Sequence, residues 1–318
     1  MKIIEETHII QPCTVKEYNK YLGDMNMVVI DIETTGLSAK NSAVILVGFL
    51  SPDSVNPNQV NSVQLFAENF KEEKDLLLEL DKRLTALDLD GLVTFNGHRF
   101  DIPYLKARAE FHGIEMPSLN AYHLDLYRLV RKFSDLKSKL PNLKQKTLEN
   151  YMGLWEFRQD LIDGGESLSL YFDYLDDPKD EYLDKMLLHN KDDILNLYRL
   201  SNISAKTDIH KGFNDLGFPV LTENGIHTIA KILVKDDTIT ISGKQSHKQD
   251  LNISTISFDE DQSPIAFNFN HYAGSVGEFS ITAKNIMYMG ERLQNTSHEI
   301  LNQLSKELLL HCLNNSKS

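Results

Sequence analysis

With 318 residues, 41% hydrophobic and 25% charged, the chain has the profile of an ordinary globular protein long enough for two domains. Its two cysteines, Cys13 and Cys312, lie almost a chain length apart in no metal or redox spacing, which excludes a disulfide framework and suits a reducing compartment. The formal charge of −13 argues against a protein that holds nucleic acid by its overall field, although a site depends on local charge and bound metal rather than on the sum.

The opening stretch, MKIIEETHIIQPC, lacks a signal-peptide core and a small-residue cleavage site; residues 1–26 read as an approach segment or a short helix. The longest apolar run, Ala43 to Leu50, is eight residues including a glycine, far short of a membrane span. A cytoplasmic protein with no membrane partner is expected. Met27 to Gly36, MVVIDIETTG, reads as a buried strand running into Asp31 and Glu33 and then Thr34, Thr35 and Gly36. Side chains two apart on a strand share a face, so the two carboxylates project together. Burying them without partners costs several kcal/mol and raises one pKa strongly. The usual relief is a hard divalent cation with oxygen ligands, such as Mg²⁺ or Mn²⁺. A solvated strand end with two surface acids is the competing reading.

Leu37 to Ser42 reads as a turn, AVILVGFL as a second buried strand, and Ser62 to Ala67 as a third, so that three strands open the domain as a meander. Lys71 to Leu87 is an amphipathic helix with Leu76, Leu77, Leu80 and Leu84 on one face. Asp90 to Phe95 returns to a short strand. FNGHRFDIPYL then turns at Asn-Gly and opens a helix near Asp101, with Pro103 tolerated in its first turn. Asp101 thus stands just beyond a strand's carboxyl end, where open α/β sheets place their ligands; a plain N-cap is the alternative.

Tyr122 to Leu126 is a further strand, leading into a basic helix over residues 127–134. Arg128, Arg131, Lys132, Lys137, Lys139, Lys144 and Lys146 crowd together here, offset only by Asp125 and Asp135, which suits either a solvated face or a phosphate track. A helix over 145–153 follows a loop around Pro141, RQDLIDGG (158–165) reads as a polar turn, and SLSLYFDYL as a short helix. A long helix then runs from after Pro178 to about Ser201, with Tyr182, Met186, Leu187, Ile194, Leu197 and Leu200 as its buried candidates. Within its HNKDDILNL, His189 and Asp193 are four apart and share a face. Asp192 points about a hundred degrees away and is expected to be exposed.

DIETTG, FNGHRFDIPYL and HNKDD, in that order, resemble the three motifs of the DEDD (DnaQ-like) 3′→5′ exonucleases, which have a ribonuclease-H-like fold. YHLDLYRLVRKF, LKQKTLENYMGL, RQDLIDGGESLSLYFDYL and LLHNKDDILNLYRL narrow the resemblance to the YprB-type ribonuclease-H-like domain, over about residues 25–202. The resemblance implies that Asp31, Glu33, Asp101 and Asp193 bind metal and that His189 is the general base toward the attacking water. It implies that Thr34, Thr35 and Leu37 border the terminal nucleotide and that Asn96 and Phe100 help hold the strand. One position departs from the pattern. His189 precedes Asp193 by four residues, the spacing of the Tyr-type branch, whereas the His-type branch uses five.

The chemistry fits on physical grounds. Two divalent cations, Mg²⁺ or Mn²⁺, balance four carboxylates and serve both the attacking water and the leaving 3′ oxygen. A His with a pKa near about 6.5 accepts a proton at neutral pH. The expected activity is 3′→5′ hydrolysis of single-stranded DNA or RNA with a free 3′ end. The alternatives are a catalytically inactive nucleic-acid-binding protein on the same fold, or another metal-dependent phosphoryl hydrolase such as an endonuclease.

The expected architecture is α/β. A ribonuclease-H-like mixed sheet flanked by helices fills 1–205, and a smaller, mainly antiparallel β domain with a C-terminal helix fills 206–318. In the latter, residues 238–242, 251–258, 265–269 and 278–283 alternate as strands of a meander, and a helix over about 297–314 covers the sheet. His227, His247, His271 and His298 are scattered and read as structural or surface residues. This part could hold substrate, mediate oligomerisation or extend the packing.

Overall fold

The computed structural model describes residues 1–160, 162–222, 225–235, 238–246, 265–271, 276–283, 287–288 and 291–315. The chain divides into two compact units, one of Met1–Asn19 with Asp24–Thr207 and the other of Lys20–Gly23 with Asp208–Ser318.

The first unit is built on β1 (Lys2–Ile9), β2 (Met27–Thr34), β3 (Val44–Pro52), β4 (Gln59–Phe66), β5 (Gly91–Thr94) and β6 (Tyr122–Asp125), which form one sheet in the order β1-β4-β3-β2-β5-β6. The pairs β1·β4, β4·β3 and β3·β2 are antiparallel, whereas β5 and β6 run parallel to β2. The helices are α1 (Lys16–Leu22), of which residues 16–19 belong to this unit and 20–22 to the other, α2 (Glu73–Ala86), α3 (Asp101–His112), α4 (Leu126–Phe133), α5 (Leu136–Lys139), α6 (Gln145–Tyr151), α7 (Gly164–Asp176) and α8 (Asp180–Leu200). Residues 1–26 thus form a strand as well as a helix. β1 is an edge strand held by its ladder to β4, with Ile3 and Ile9 exposed, so no buried apolar pattern marks it in the sequence.

Strand alternation decides what each face carries. Val28, Ile30 and Ile32 of β2 pack with Leu76, Leu77, Leu80 and Leu84 of α2 and Leu105 of α3 in one core. Asp31 and Glu33 therefore point to the opposite face, which α7 and α8 cover. A second core on that side joins Ile45, Leu46 and Phe66 to Tyr171, Tyr174, Leu183 and Met186. Of the buried candidates on α8, Met186, Ile194, Leu197 and Leu200 are buried, while Tyr182 and Leu187 are half-buried.

The second unit carries α9 (Ile209–Leu216) and a five-stranded antiparallel sheet in the order β10-β11-β9-β8-β7. Its strands are β7 (Phe218–Thr222), β8 (Gly225–Lys235), β9 (Thr238–Ser246), β10 (Ile265–His271) and β11 (Val276–Ala283). A short β12 (Met287–Tyr288) pairs with β13 (Glu291–Arg292), and α10 (His298–Asn315) packs on α9 and β8. The strand expected over 251–258 lies outside the described residues, as does His247. β7 and β8 add a hairpin that the sequence pattern did not suggest, and His227 of β8 is buried with its ring 5.9 Å from that of Phe279. Cys13 and Cys312 are both free thiols, and among the described residues no helix is long and apolar enough to cross a membrane.

The first unit is pinned by Glu73, the first residue of α2. Its carboxylate accepts from the backbone N–H of Val44 (2.8 Å), from Nε and Nη2 of Arg108 (2.7 and 2.6 Å) and contacts His112 Nε2 (2.7 Å). Burial pushes its pKa up, but these partners outweigh burial and hold it below the usual range. Removing one member of such a pair leaves a buried charge alone. Glu73→Ala is expected to lose about 3–5 kcal/mol from the unfolding transition of this unit in urea; a loss below about 1 kcal/mol would show that the pin is dispensable.

Candidate functional site

Asp31 of β2 sits opposite Gly48 of β3, and Gly48 opposite Gln64 of β4. Over this row lies Asn190 of α8, fully buried, whose Nδ2 donates to Asp31 Oδ2 (2.9 Å) and whose Oδ1 accepts from Gln64 Nε2 (2.8 Å). A Cβ on Gly48 would come within 2.0 Å of Asn190 Oδ1, so the glycine is what lets the helix descend onto the strand. Two positions on, Glu33 is buried at the strand end, where the register against β3 shifts between Glu33 and Thr34.

One residue before Asn190, His189 is buried and turns its Nε2 to Glu33 Oε1 (3.5 Å) and Asp193 Oδ2 (3.6 Å). Its Nδ1 meets Asp160 Oδ2 at 2.6 Å. Asp160 lies in the turn before α7 and is buried; it also accepts from Arg158 Nη1 (2.5 Å) and Lys146 Nζ (3.0 Å). The Arg158 guanidinium makes two further links, a fork onto Glu149 (2.8 Å for both bonds) and Nη2 onto Asp193 Oδ1 (2.5 Å). Of the segment expected as a polar turn, residues 158–160 and 162–163 lie outside helix and strand while Gly164 and Gly165 open α7, and Arg158 and Asp160 are core residues rather than a solvated polar surface. Asp163 closes it with a reciprocal capping box to Glu166 at the start of α7.

Asp192 is 4% exposed, against the expectation that it faces solvent. The same turn covers it, and its Oδ2 accepts the backbone N–H groups of Gln159 (2.5 Å) and Asp160 (2.7 Å). Asp192 therefore holds the loop that holds His189.

Asp101 opens α3 and is buried, with Phe100 at the N-cap position and no side-chain cap. The structure brings Asp31, Glu33, Asp193 and His189 together, and Asp101 lies within range of their charges. Of the remaining expected residues, Thr34 Oγ1 donates to Gly36 O (2.9 Å) and Thr35 Oγ1 accepts from Ala43 N (2.8 Å), shaping the turn after β2. Leu37 on that turn is 89% exposed. Asn96 is half-buried at φ +67°, and Phe100 is half-buried with its ring 5.3 Å from that of Tyr104.

The electrostatics are those of an anionic cluster short of positive charge. Burial, then the charges of Asp193, Asp101 and Glu33, push Asp31 well above the usual carboxylate range. Burial also raises Glu33 to about 7, with His189 opposing and Asp193 adding to it. Asp101 reaches about 7 through burial, opposed by backbone N–H donors and reinforced by Asp125. Asp193 is raised by burial despite His189 and Arg158. Burial pulls His189 down, but Asp160, Asp193 and Glu33 together raise it. Asp160 is pushed up by burial, yet His189, Arg158 and Lys146 hold it well below its usual range.

This donor set fits a hard divalent cation: clustered carboxylate oxygens, partly buried, whose proton affinities are raised by their mutual repulsion. Glu33, His189 and Asp193 each offer a ligand atom, all within 4.8 Å of one another. Asn190 and Arg158 each fix one oxygen of Asp31 and Asp193, which orients the other.

Residues 28–204 match the family model of the RNase H superfamily. Among curated proteins, DNA polymerase 1 of Pyrococcus abyssi is 29% identical over 98 residues, covering 30% of this chain and 13% of that one. The uncharacterized protein YprB of Bacillus subtilis is 28% identical over 190 residues, 59% of this chain and 43% of that one. DNA polymerase 2 of Aeropyrum pernix is 28% identical over 150 residues, 42% of this chain and 17% of that one. The chain therefore spans less than half the length of each of these relatives. Among solved structures, the family B DNA polymerase of Pyrobaculum calidifontis aligns with a TM-score of 0.45 at 14% identity, over 89% of this chain and 42% of that one.

The raised carboxyls set a pH dependence. Glu33 and Asp101 bind a proton more tightly in the fold (about 7) than at their ordinary 4.5 and 3.8, so their contribution to stability is full below about pH 4 and is lost as pH rises toward 7. Without divalent cations the melting temperature should fall between pH 5 and pH 7.5. At pH 7.5, Mn²⁺ at about a hundred times its dissociation constant should restore about 2.7 kcal/mol. An Asp31→Ala/Asp193→Ala protein that responds equally to Mn²⁺ in the melt would place the cation elsewhere.

Proposed function

This chain belongs to the RNase H superfamily, and on that premise we propose that it is a metal-dependent 3′→5′ exonuclease acting on single-stranded DNA or RNA. The observation that carries the reading is the contact of His189 Nε2 with Glu33 and Asp193 beside a buried Asp31 that feels the charges of Asp193, Asp101 and Glu33. The matched DNA polymerases of Pyrococcus abyssi and Aeropyrum pernix are, by name, proteins of nucleic-acid chemistry, which supports it.

Asp31, Glu33, Asp101 and Asp193 would hold two divalent cations, Mg²⁺ or Mn²⁺. When bound, such ions lower the pKa of a water and offset the negative charge that builds on the scissile phosphate. The rest falls to the chain itself. Asp160 accepts the Nδ1–H of His189, which leaves Nε2 as the basic nitrogen on the side of the acids. From there His189 takes a proton from the water that attacks phosphorus. The P–O3′ bond breaks, the 3′ oxygen leaves with a proton, and a nucleoside 5′-monophosphate is released. Arg158 and Lys146 keep Asp160 ionised and fixed, so the imidazole is aimed before substrate arrives. Holding His189 through Asp160 rather than by helix geometry alone suits a histidine set four residues before its aspartate. The exposed Leu37, on the turn that Thr34 and Thr35 shape, offers an apolar surface to the terminal base. The second unit would act as an accessory domain.

Degradation of 5′-labelled single-stranded DNA and RNA tests the reading. A ladder that shortens from the 3′ end with Mn²⁺ or Mg²⁺, and stops in EDTA or in Asp31→Ala, is the expected result. His189→Ala should lower kcat by about 10²–10⁴-fold. Asp160→Asn should lower kcat by a smaller factor at unchanged KM, because it mis-orients the base without touching the strand. Internal cuts, or release of inorganic phosphate in place of nucleotides, would assign the site to a different phosphoryl hydrolase.

A further inference from the structure

Part of the basic run around α4 converges on one concavity, although Arg99, Arg131, Lys132 and Lys137 are exposed. Arg99, Arg128, Arg131, Lys132 and Lys137 line one cleft of about 440 Å³, together with Asn96 and His98. Among the described residues none of these five cations is in an ion pair, although the chain as a whole carries a charge of −13. The two acids nearest in sequence are engaged elsewhere. Asp125 accepts the backbone N–H groups of Asn96 (2.9 Å), His98 (3.1 Å) and Arg128 (3.3 Å), and Asp135 pairs with Lys139 (2.6 Å). Arg131 instead lies 5.9 Å from the ring centroid of Tyr127, which also lines the cleft.

Five cations that face one concavity without acidic partners focus a positive field there, which a polyanion complements. The cleft also adjoins the acidic site. Asn96, His98 and Arg99 line it, and the loop continues through Phe100 to Asp101 at the start of α3; the charge of Asp125, which ties that loop down, is among those felt at Asp101.

We propose that this cleft binds the phosphate backbone of the nucleic-acid strand whose 3′ end reaches the acidic site. The inference rests on the exonuclease reading for the identity of the strand. Arg99, Arg128 and Arg131 present planar donors to phosphate oxygens, while Lys132 and Lys137 add point charges at the rim. The Tyr127 ring offers a face on which a base can stack. Because the contacts are to phosphates, the cleft favours strand length over sequence and accepts DNA and RNA alike.

The test is equilibrium binding of fluorescent single-stranded oligonucleotides to the full chain in EDTA, where no cleavage intervenes, across a range of salt concentrations. Each phosphate contact contributes about 0.7 to the slope of log K against log salt for a single strand. An Arg128→Gln/Arg131→Gln/Lys137→Gln protein with an unchanged melting temperature should therefore show a slope shallower by about 2, and weaker binding of long strands for every sequence tried. Inorganic phosphate or a dinucleotide at equal ionic strength should displace the long strand poorly. An unchanged slope, absence of strand binding by the parent protein, or equal displacement by inorganic phosphate would each overturn the proposal, the last by making this a small-anion site. A slope change without degradation under any metal would instead sink the exonuclease reading and leave the cleft's role standing.

Discussion

Mutual repulsion among carboxylates crowded at one end of a sheet is the constraint around which the first unit is arranged. Asp31 and Glu33 must share a face because β2 is extended and its even positions are committed to the core under α2 and α3. Asp101 arrives from the N-terminus of α3 and Asp193 from α8. The fold contains the resulting repulsion with three neutral or cationic groups, Asn190 on Asp31, Arg158 on Asp193 and His189 between Glu33 and Asp193. They do not cancel it, since Asp31, Glu33, Asp101 and Asp193 all keep raised pKa values. An arrangement that stabilises only part of its negative charge is poised for a cation.

The supports of this cluster are unusually exact in shape because they involve backbone. Gly48 has no side chain where Asn190 must sit, and Asn190 spans β2 and β4 by bonding Asp31 and Gln64 at once. On the other side of His189, the turn 158–160 is fixed through its N–H groups to Asp192. α8 thus contributes consecutive residues to separate tasks: His189 and Asn190 toward the acids, Asp192 toward the turn and Asp193 back to the acids. A helix can serve two faces in this way only when something other than solvent covers its second face.

That second cover is the part of the site that the sequence pattern does not disclose. The motif carboxylates and His189 were legible because strand and helix periodicity place them, and the order of the motifs resembles one family. Asp192 is not legible as buried because its angle from the His189/Asp193 face points to solvent, whereas the turn at Gln159 and Asp160 covers it. Arg158 and Asp160 were invisible as site residues for the same reason: RQD between two helices has the composition of a solvated loop, and only the pairing of charges in space buries it. The shortage of cations beside four acids was the signal that could have pointed to Arg158. β1 escaped because its stability comes from a backbone ladder, and β8 because a register shift between Ile229 and Lys231 breaks the alternation along the strand.

The loop from Asn96 to Asp101 separates two opposite electrostatic environments within a few residues, and its backbone makes this possible. Asn96 adopts a left-handed φ of +67°, and a Cβ at Gly97 would meet Thr94, so the chain turns sharply enough to show one side to each environment. Asp125 then fills its acceptor sites with backbone donors from this loop and from α4. Were it paired with an arginine instead, the cleft would lose one of its cations. By using N–H dipoles as partners, the fold keeps its cations uncommitted beside a site that carries the opposite charge. A strand of phosphates ending at a divalent cation is the kind of ligand that satisfies both neighbours at once, and a net charge of −13 gives no hint of it because the two environments largely cancel in the sum.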